Sequence, residues 1–310
     1  VAIYESLTTF AGLPVKDWKG AKPPAAPGGV AVRLRVDYDE ASDGVTFGDK
    51  LAELLEADGS SALAALVVGS WTPDDTSGDS TDVVDRLVAA RDRLPNLRHL
   101  FLGDITAEEC EISWIRQSDL SPLLAAYDRL ETLAVRGGDN LSFASLRHPR
   151  LTNLTIQAGG LPPEVVRAVG AADLPALTHL ELWLGSTSYG GDATVDDLAP
   201  ILRGDRFPSL RYLGIKDSEI QDAVAAAVAA SAIVARLHTL DLSMGTLGDA
   251  GAKALLASPA VRKLARLDLH HHYISEPVQA QLRALGIDVD LSEAEDASES
   301  ADDRYVAVSE

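Results

Sequence analysis

Leu237-His238-Thr239-Leu240-Asp241-Leu242 and, further along, Leu264-Ala265-Arg266-Leu267-Asp268-Leu269 place leucine at the first, fourth and sixth positions of a six-residue phrase. The phrase also stands, with isoleucine allowed last, at Leu97/Leu100/Leu102, Leu151/Leu154/Ile156, Leu177/Leu180/Leu182 and Leu210/Leu213/Ile215. Leu130/Leu133/Val135 is well formed, and Leu63/Leu66/Val68 and Leu34/Val36 within Val30–Val36 are weaker versions. Successive side chains of an extended strand point to opposite faces, so positions four and six enter a core while five and seven face away from it.

Anchored on the middle leucine, the repeats fall at Leu100, Leu133, Leu154, Leu180, Leu213, Leu240 and Leu267, at intervals of 33, 21, 26, 33, 27 and 27 residues. A leucine phrase returning at this spacing is the signature of a leucine-rich repeat, in which stacked units share one continuous core. The expected fold is therefore an α/β solenoid, a horseshoe with a parallel β-sheet on its concave side, helices on its convex side and about nine strands. Amphipathic stretches supply the helices: Phe47, Leu51, Leu54 and Leu55 share one face, as do Val83, Val84, Leu87 and Val88. Ser121-Pro122 reads as a cap followed by proline in the first turn. Further helices are expected over Pro163–Ala171, Thr194–Leu202, Glu219–Val234, Asp249–Ala257 and Glu276–Leu285, the last capped by Ser275.

Three segments follow. Residues 1–29 form an N-terminal cap, Val1–Trp18, and a Pro-, Ala- and Gly-rich loop, Gly20–Gly29. Residues 30–291 hold the repeats, closed by a strand at Ile287, Val289 and Leu291. Residues 292–310 form an acidic linker and a strand-prone tail, Arg304–Val308, which either hangs from that linker or folds back on the sheet.

Apolar residues make up 46% of the 310 positions, ample for a long core, yet no run approaches the roughly 18 apolar residues of a membrane helix. Val1–Phe10 has neither a basic cluster nor a long apolar stretch, so no secretory signal is read there. One cysteine, Cys110, allows neither disulfide caps nor a cysteine-based zinc cluster within one chain, and points to a reducing, cytoplasmic setting. The net charge of −20 repels phosphate backbones, which disfavours nucleic acid and favours a basic protein, peptide or metal. The plainer reading of that charge is a solvated surface.

Repeat register maps the open face. Position five gives Phe101, Ala134, Thr155, Glu181, Gly214, Asp241 and Asp268, and position seven gives Gly103, Arg136, Gln157, Trp183, Lys216, Ser243 and His270. Position eight, entering the turn, gives Asp104, Gly137, Ala158, Leu184, Asp217, Met244 and His271. An exposed Trp183 among Glu181, Lys216, Asp217, Asp241, Met244, Asp268, His270 and His271 is the aromatic anchor with flanking charge expected of a protein-binding face. The competing reading is an ordinary solvated sheet whose tryptophan packs against a neighbouring loop.

His270-His271-His272 invites a metal reading, but neighbours on a regular strand point to opposite faces and cannot all reach one ion. Asp241, Asp268 and His270 could form a nitrogen/oxygen site across strands. His272 occupies a turn position usually filled by asparagine, where a hydrogen-bonding structural role suits it. The other turns carry Gly159, Gly185, Ser218 and Gly245 there, so no asparagine ladder exists. Gly103–Ile115 is an acidic insertion with Trp114, either over one rim or packed by Ile112, Trp114 and Ile115; acids around Cys110 disfavour its thiolate. No phosphate loop, serine elbow or zinc-protease pair appears, so neither a catalytic residue nor a cofactor is assigned.

The helices and the intervals near 27 resemble the ribonuclease-inhibitor-like class of leucine-rich repeats, most closely in Gly248-Asp249-Ala250-Gly251-Ala252 followed by Leu255 and Leu256. Gly103–Asp119, Leu180–Gly191, Leu240–Gly245, Leu267–Ser275 and Arg304–Glu310 resemble an uncharacterised, mainly actinobacterial leucine-rich-repeat family. That resemblance implies gene neighbours of radical-SAM, ATP-grasp-like and sulfatase-like kinds, and so an accessory role beside such enzymes. It transfers no catalytic residue. The expected function is a non-catalytic intracellular scaffold that binds a protein or peptide, with neither nucleic acid nor membrane as partner. The alternatives are a carrier whose tail is presented to a modifying enzyme, and a metalloprotein or enzyme using Asp241, Asp268 and His270.

Overall fold

The computed structural model describes residues 3–20, 29–73, 78–300 and 303–310. Most of the expected Gly20–Gly29 loop lies outside the described residues. The chain divides into two compact units, residues 2–154 and 155–309, a division that the repeat pattern over 30–291 did not signal.

The first unit carries β1 (Thr9–Phe10), β2 (Leu13–Asp17), β3 (Ala31–Leu34), β4 (Ala65–Val68), β5 (His99–Leu102) and β6 (Thr132–Arg136). β1 and β2 form an antiparallel hairpin, and β2 to β6 then pair in parallel in chain order. Leu66, Leu100 and Leu133 stand in register, so the middle leucines stack into one buried row. α1 (Tyr38–Ser42), α2 (Phe47–Glu56), α3 (Thr81–Ala89) and α4 (Ser121–Ala126) alternate with these strands. Thr46 and Asp49 form a capping box at the start of α2, where the first amides lack intrahelical partners. The N-terminal segment lays Leu7, Phe10, Leu13 and Val15 on the other sheet face, against Ala31, Ala65, Val67, Phe101 and Ala134. Positions five of these repeats are thereby buried rather than open.

The second unit carries β7 (Asn153–Gln157, crossing the boundary), β8 (His179–Gly185), β9 (Tyr212–Ser218), β10 (Thr239–Asp241), β11 (Arg266–Asp268) and β12 (Asp288–Asp290). β8 to β12 pair in parallel, with Leu180, Leu213, Leu240, Leu267 and Val289 in one register row. α5 (Pro163–Gly170), α6 (Val195–Leu202), α7 (Gln221–Ala230), α8 (Asp249–Ala257) and α9 (Glu276–Arg283) connect them, burying valine, leucine and alanine rows such as Val224, Ala225 and Val228.

Twelve strands stand among the described residues, not about nine. The additional three are β1 and β2, which contain no leucine phrase, and β12, the anticipated closing strand, built on Val289.

The turns after the strands replace the absent asparagine ladder in two ways. Asp217, Met244, His271 and Glu293, at position eight of successive repeats, are left-handed, with φ of 53°, 70°, 54° and 55°. Each costs about 1–2 kcal/mol for a residue with a Cβ. The preceding position-five aspartates steady three of these turns, as Asp241, Asp268 and Asp290 accept from the amides of Ser243, His270 and Ser292 at 3.0, 3.3 and 3.1 Å. Side-chain amides satisfy buried carbonyls instead of asparagine: Gln221 donates to Ile215 O at 2.9 Å and Gln279 to Ile274 O at 2.8 Å. Gly160 bridges Gly185, whose left-handed backbone passes so close that a Cβ there would lie 2.0 Å from Gly159 O. Gly159-Gly160 is thus a site of close backbone contact with β8.

Candidate functional site

The polar surface of the second unit grows from the outward positions of β8 to β11. Gly214, in register with Glu181, leaves space beside the Tyr212 ring, which would lie 3.1 Å from a Cβ there. The Tyr212 hydroxyl on β9 lies 3.0 Å from Glu181 Oε2 on β8 and 2.7 Å from Asp241 Oδ2 on β10, two carboxylate acceptors for its single proton. His179 stacks on the same ring, centroids 3.9 Å apart and planes 6° from parallel. Trp183 donates its indole N–H to Glu181 Oε1 at 2.7 Å. Lys216 Nζ sits 3.2 Å from Asp241 Oδ2 and 5.8 Å from the Trp183 ring centroid, a cation–π distance.

This arrangement fixes charge. Burial would raise the Glu181 carboxyl, but the nearby His179 imidazole, the Lys216 ammonium and the Trp183 indole overcome it and hold the group at about 2. Burial opposes the Lys216 charge, yet Glu181 and Asp241 raise it on balance. On β11, Arg266 contacts Asp268 at 2.9 Å, Asp288 at 3.0 Å and Asp290 at 2.9 Å. His270 Nδ1 meets Asp268 Oδ1 at 2.7 Å, and that hydrogen bond raises the imidazole above its ordinary value. Burial works against ionisation of Asp268, but the His270 and Arg266 hydrogen bonds hold it well below the carboxylate range.

The expected open face is therefore largely closed. Trp183, predicted to be exposed, is 7% exposed, because its indole is drawn onto Glu181 and Lys216. Lys216, Asp217, Asp241, Met244 and His271 are buried as well, leaving Glu181, Asp268 and His270 partly accessible. The three consecutive histidines lie just beyond β11, not on a strand, and do not converge: His270 pairs with Asp268, while His271 Nε2 lies 3.2 Å from Tyr305 O. His272, fully buried, accepts from Ile274 N–H at 3.1 Å through Nδ1 and reaches Leu291 O at 3.3 Å through Nε2. No group of three His, Cys, Asp or Glu is placed to hold a metal ion among the described residues.

Much of the closure comes from the tail. Val306 and Val308 are buried, Ala307 N–H donates to Met244 O at 2.7 Å, and Val308 N–H donates to Asp217 Oδ1 at 2.9 Å. The tail thus folds back across the turns after the strands. No tail residue joins a strand ladder.

In the first unit, sequence reasoning placed Asp104 and Arg136 on the register map without seeing their role. Asp104 is buried and accepts from Arg33 Nε at 2.8 Å and from Leu7 N–H at 3.2 Å, with Arg136 Nη1 3.6 Å away. Arg33 also reaches Asp17 and Leu7 O. The network ties residues 7–17 to the sheet. Its signal was two arginines at outward positions, too common to single out. In the insertion, Ile112 and Ile115 are buried while Trp114 is 60% exposed; burial first, then Glu111 and Glu109, push the Cys110 thiol up.

Parallel strands with stacked leucines, helices between them and polar residues on the outward positions define a leucine-rich-repeat-like protein. A *Bacteroides fragilis* protein of known crystal structure matches it with a TM-score of 0.81 and 35% identity, over 86% of this chain and 76% of that one. The chain belongs to the same family as that protein. A *Listeria monocytogenes* internalin, InlF, aligns over 85% of this chain and 67% of its own at 16% identity, with a TM-score of 0.36. No protein-family model and no curated protein sequence matches the chain. No helix among the described residues is long and apolar enough to cross a membrane.

Proposed function

We propose that the protein is a non-catalytic scaffold that binds a protein or peptide on the outward sheet surface of its second unit. The supporting observation is the fixed set of polar groups there: Glu181, Asp268 and His270 keep part of their surface in solvent while hydrogen bonds hold each in one orientation. Preorganised charge adds specificity without an ordering cost on binding. Trp183 supports these groups from beneath and is not itself the contact. The repeats are of the ribonuclease-inhibitor-like class, a reading supported by the 27-residue intervals from Leu213 to Leu240 and Leu240 to Leu267 and by helices of eight to ten residues in the second unit. The single cysteine supports a reducing, cytoplasmic setting, and the family resemblance supports an accessory role beside enzymes of neighbouring genes.

A photo-cross-linking residue placed at position 270 of the full chain in its native host tests this, with the same probe at Glu164 on α5 as control. One protein species captured from position 270 and not from 164 is expected. The same species from both positions, or none from 270, moves the site elsewhere.

A further inference from the structure

Residues 305–308 cross three successive repeats in reverse order. Tyr305 lies at the turn of His271, Ala307 at the turn of Met244 and Val308 at the turn of Asp217. These three turn residues share position eight and the left-handed backbone, so the repeat presents one contact per turn at a regular spacing. What they hold is main chain. His271 Nε2 meets Tyr305 O, Met244 O accepts from Ala307 N–H, and Asp217 Oδ1 accepts from Val308 N–H. Tyr273 adds its hydroxyl, 3.1 Å from Tyr305 N and 3.2 Å from Tyr305 O. Only two tail side chains are buried, Val306 and Val308, two residues apart, while Tyr305 is 49% exposed. Arg304 lies over the Tyr273 ring, 5.2 Å from its centroid.

Capture of main-chain groups by polar atoms, with buried side chains two residues apart, is a mode of peptide recognition. We infer that position eight of the second unit forms a peptide-binding groove, that the chain's own tail is its resident occupant, and that a partner enters by displacing it. The partner segment carries small branched apolar side chains two residues apart, in the places of Val306 and Val308. This inference rests on the scaffold reading above and specifies its ligand.

The test uses the full chain with V306D/V308D, which puts two carboxylates where the valines are buried and expels the tail. The probe is a labelled peptide of sequence DRYVAVSE, read by fluorescence anisotropy. At least tenfold tighter binding to V306D/V308D than to wild type is expected, abolished when both peptide valines are aspartate. Equal binding to both chains, or none to a variant that retains its melting transition, overturns the groove. The cross-link from position 270 would still stand in that case, so the two readings fail separately. If V306D/V308D does not fold, hydrogen exchange on the wild-type chain decides. The Val308 amide exchanging well before the β9 amides supports a displaceable tail, and exchange in step with them overturns it.

Discussion

The amide of Val308 donates to Oδ1 of Asp217 at 2.9 Å, joining residues 91 apart in the chain, both of them buried. Two buried valines contribute about 1.5–3 kcal/mol each, and the five hydrogen bonds named above contribute about 1 kcal/mol each. Ordering the five residues Arg304–Val308 costs about 1–2 kcal/mol apiece. The terms nearly cancel, as expected of a segment that docks and leaves within the lifetime of the folded sheet.

Asp217→Asn should stabilise the protein at neutral pH. Burial pushes the Asp217 carboxyl well above its ordinary value, against the lowering effect of the Val308 amide and Lys216. The fold thus favours the protonated form: that contribution is complete below the unfolded value of 3.8 and is lost as pH rises through the raised native value. Asparagine keeps an acceptor for Val308, tolerates the left-handed backbone and removes the buried charge. A gain of about 1–2 kcal/mol at pH 7 is expected, shrinking towards zero near pH 3 in denaturant titrations. An equal gain at both pH values would mean that charge burial is not the cause.

Trp183→Phe and Trp183→Ala separate the packing of the indole from its hydrogen bond. Alanine should cost about 3–5 kcal/mol as a large buried ring is lost. Phenylalanine keeps most of the volume but leaves Glu181 Oε1 without its donor, a loss of about 1.5–3 kcal/mol for a bond to a charged group. Equal midpoints for Phe and wild type would show that the Glu181 contact is idle.

The leucines made the strands legible because their positions answer to strand alternation alone, and Leu180, Leu213, Leu240 and Leu267 stand in one row. Helices such as α8 followed from the same local periodicity. The outward face was misread for a non-local reason. Register places Asp217, Met244 and His271 away from the core, but cannot show that the tail returns to contact all three. Likewise β1 and β2 owe their place to Leu7 and Phe10 packing on Phe101 and Ala134, contacts with no mark in the repeat.

Asp104→Ala should be among the most damaging single changes in the first unit. It would leave the Arg33 and Arg136 guanidiniums, both nearly buried, without their shared carboxylate and free the Leu7 amide. Breaking a buried pair by removing one partner costs about 3–5 kcal/mol. Limited proteolysis should then cut within residues 3–17 before it cuts β3 to β6. Unchanged protection of that segment would show that apolar packing alone holds it.

His272 should make the protein acid-sensitive. Burial, ahead of the opposing hydrogen bond to Leu291 O, lowers its imidazole below 6.5, and both ring nitrogens serve the neutral form. The fold binds the deprotonated ring better than the unfolded chain does, so this contribution is present above pH 6.5 and is lost as pH falls through the lowered native value. His99 and His148, also lowered chiefly by burial, act in the same direction. His270 acts oppositely, because Asp268 raises it: its contribution is present below pH 6.5 and lost as pH rises through its native value. Asparagine at position 272 can accept from Ile274 N–H through Oδ1 without titrating, while its shorter side chain gives up the contact with Leu291 O. His272→Asn should therefore cost about 1–2 kcal/mol at pH 7.5 through imperfect filling of the site, yet lose less stability than wild type between pH 6.5 and 5. Melting temperatures at half-unit pH steps provide the comparison. The variant's slope should be shallower but not flat, since His99 and His148 still titrate. Parallel profiles would mean that the charge forming on acidification is accommodated at His272 without cost, and that the ring serves the turn by shape alone.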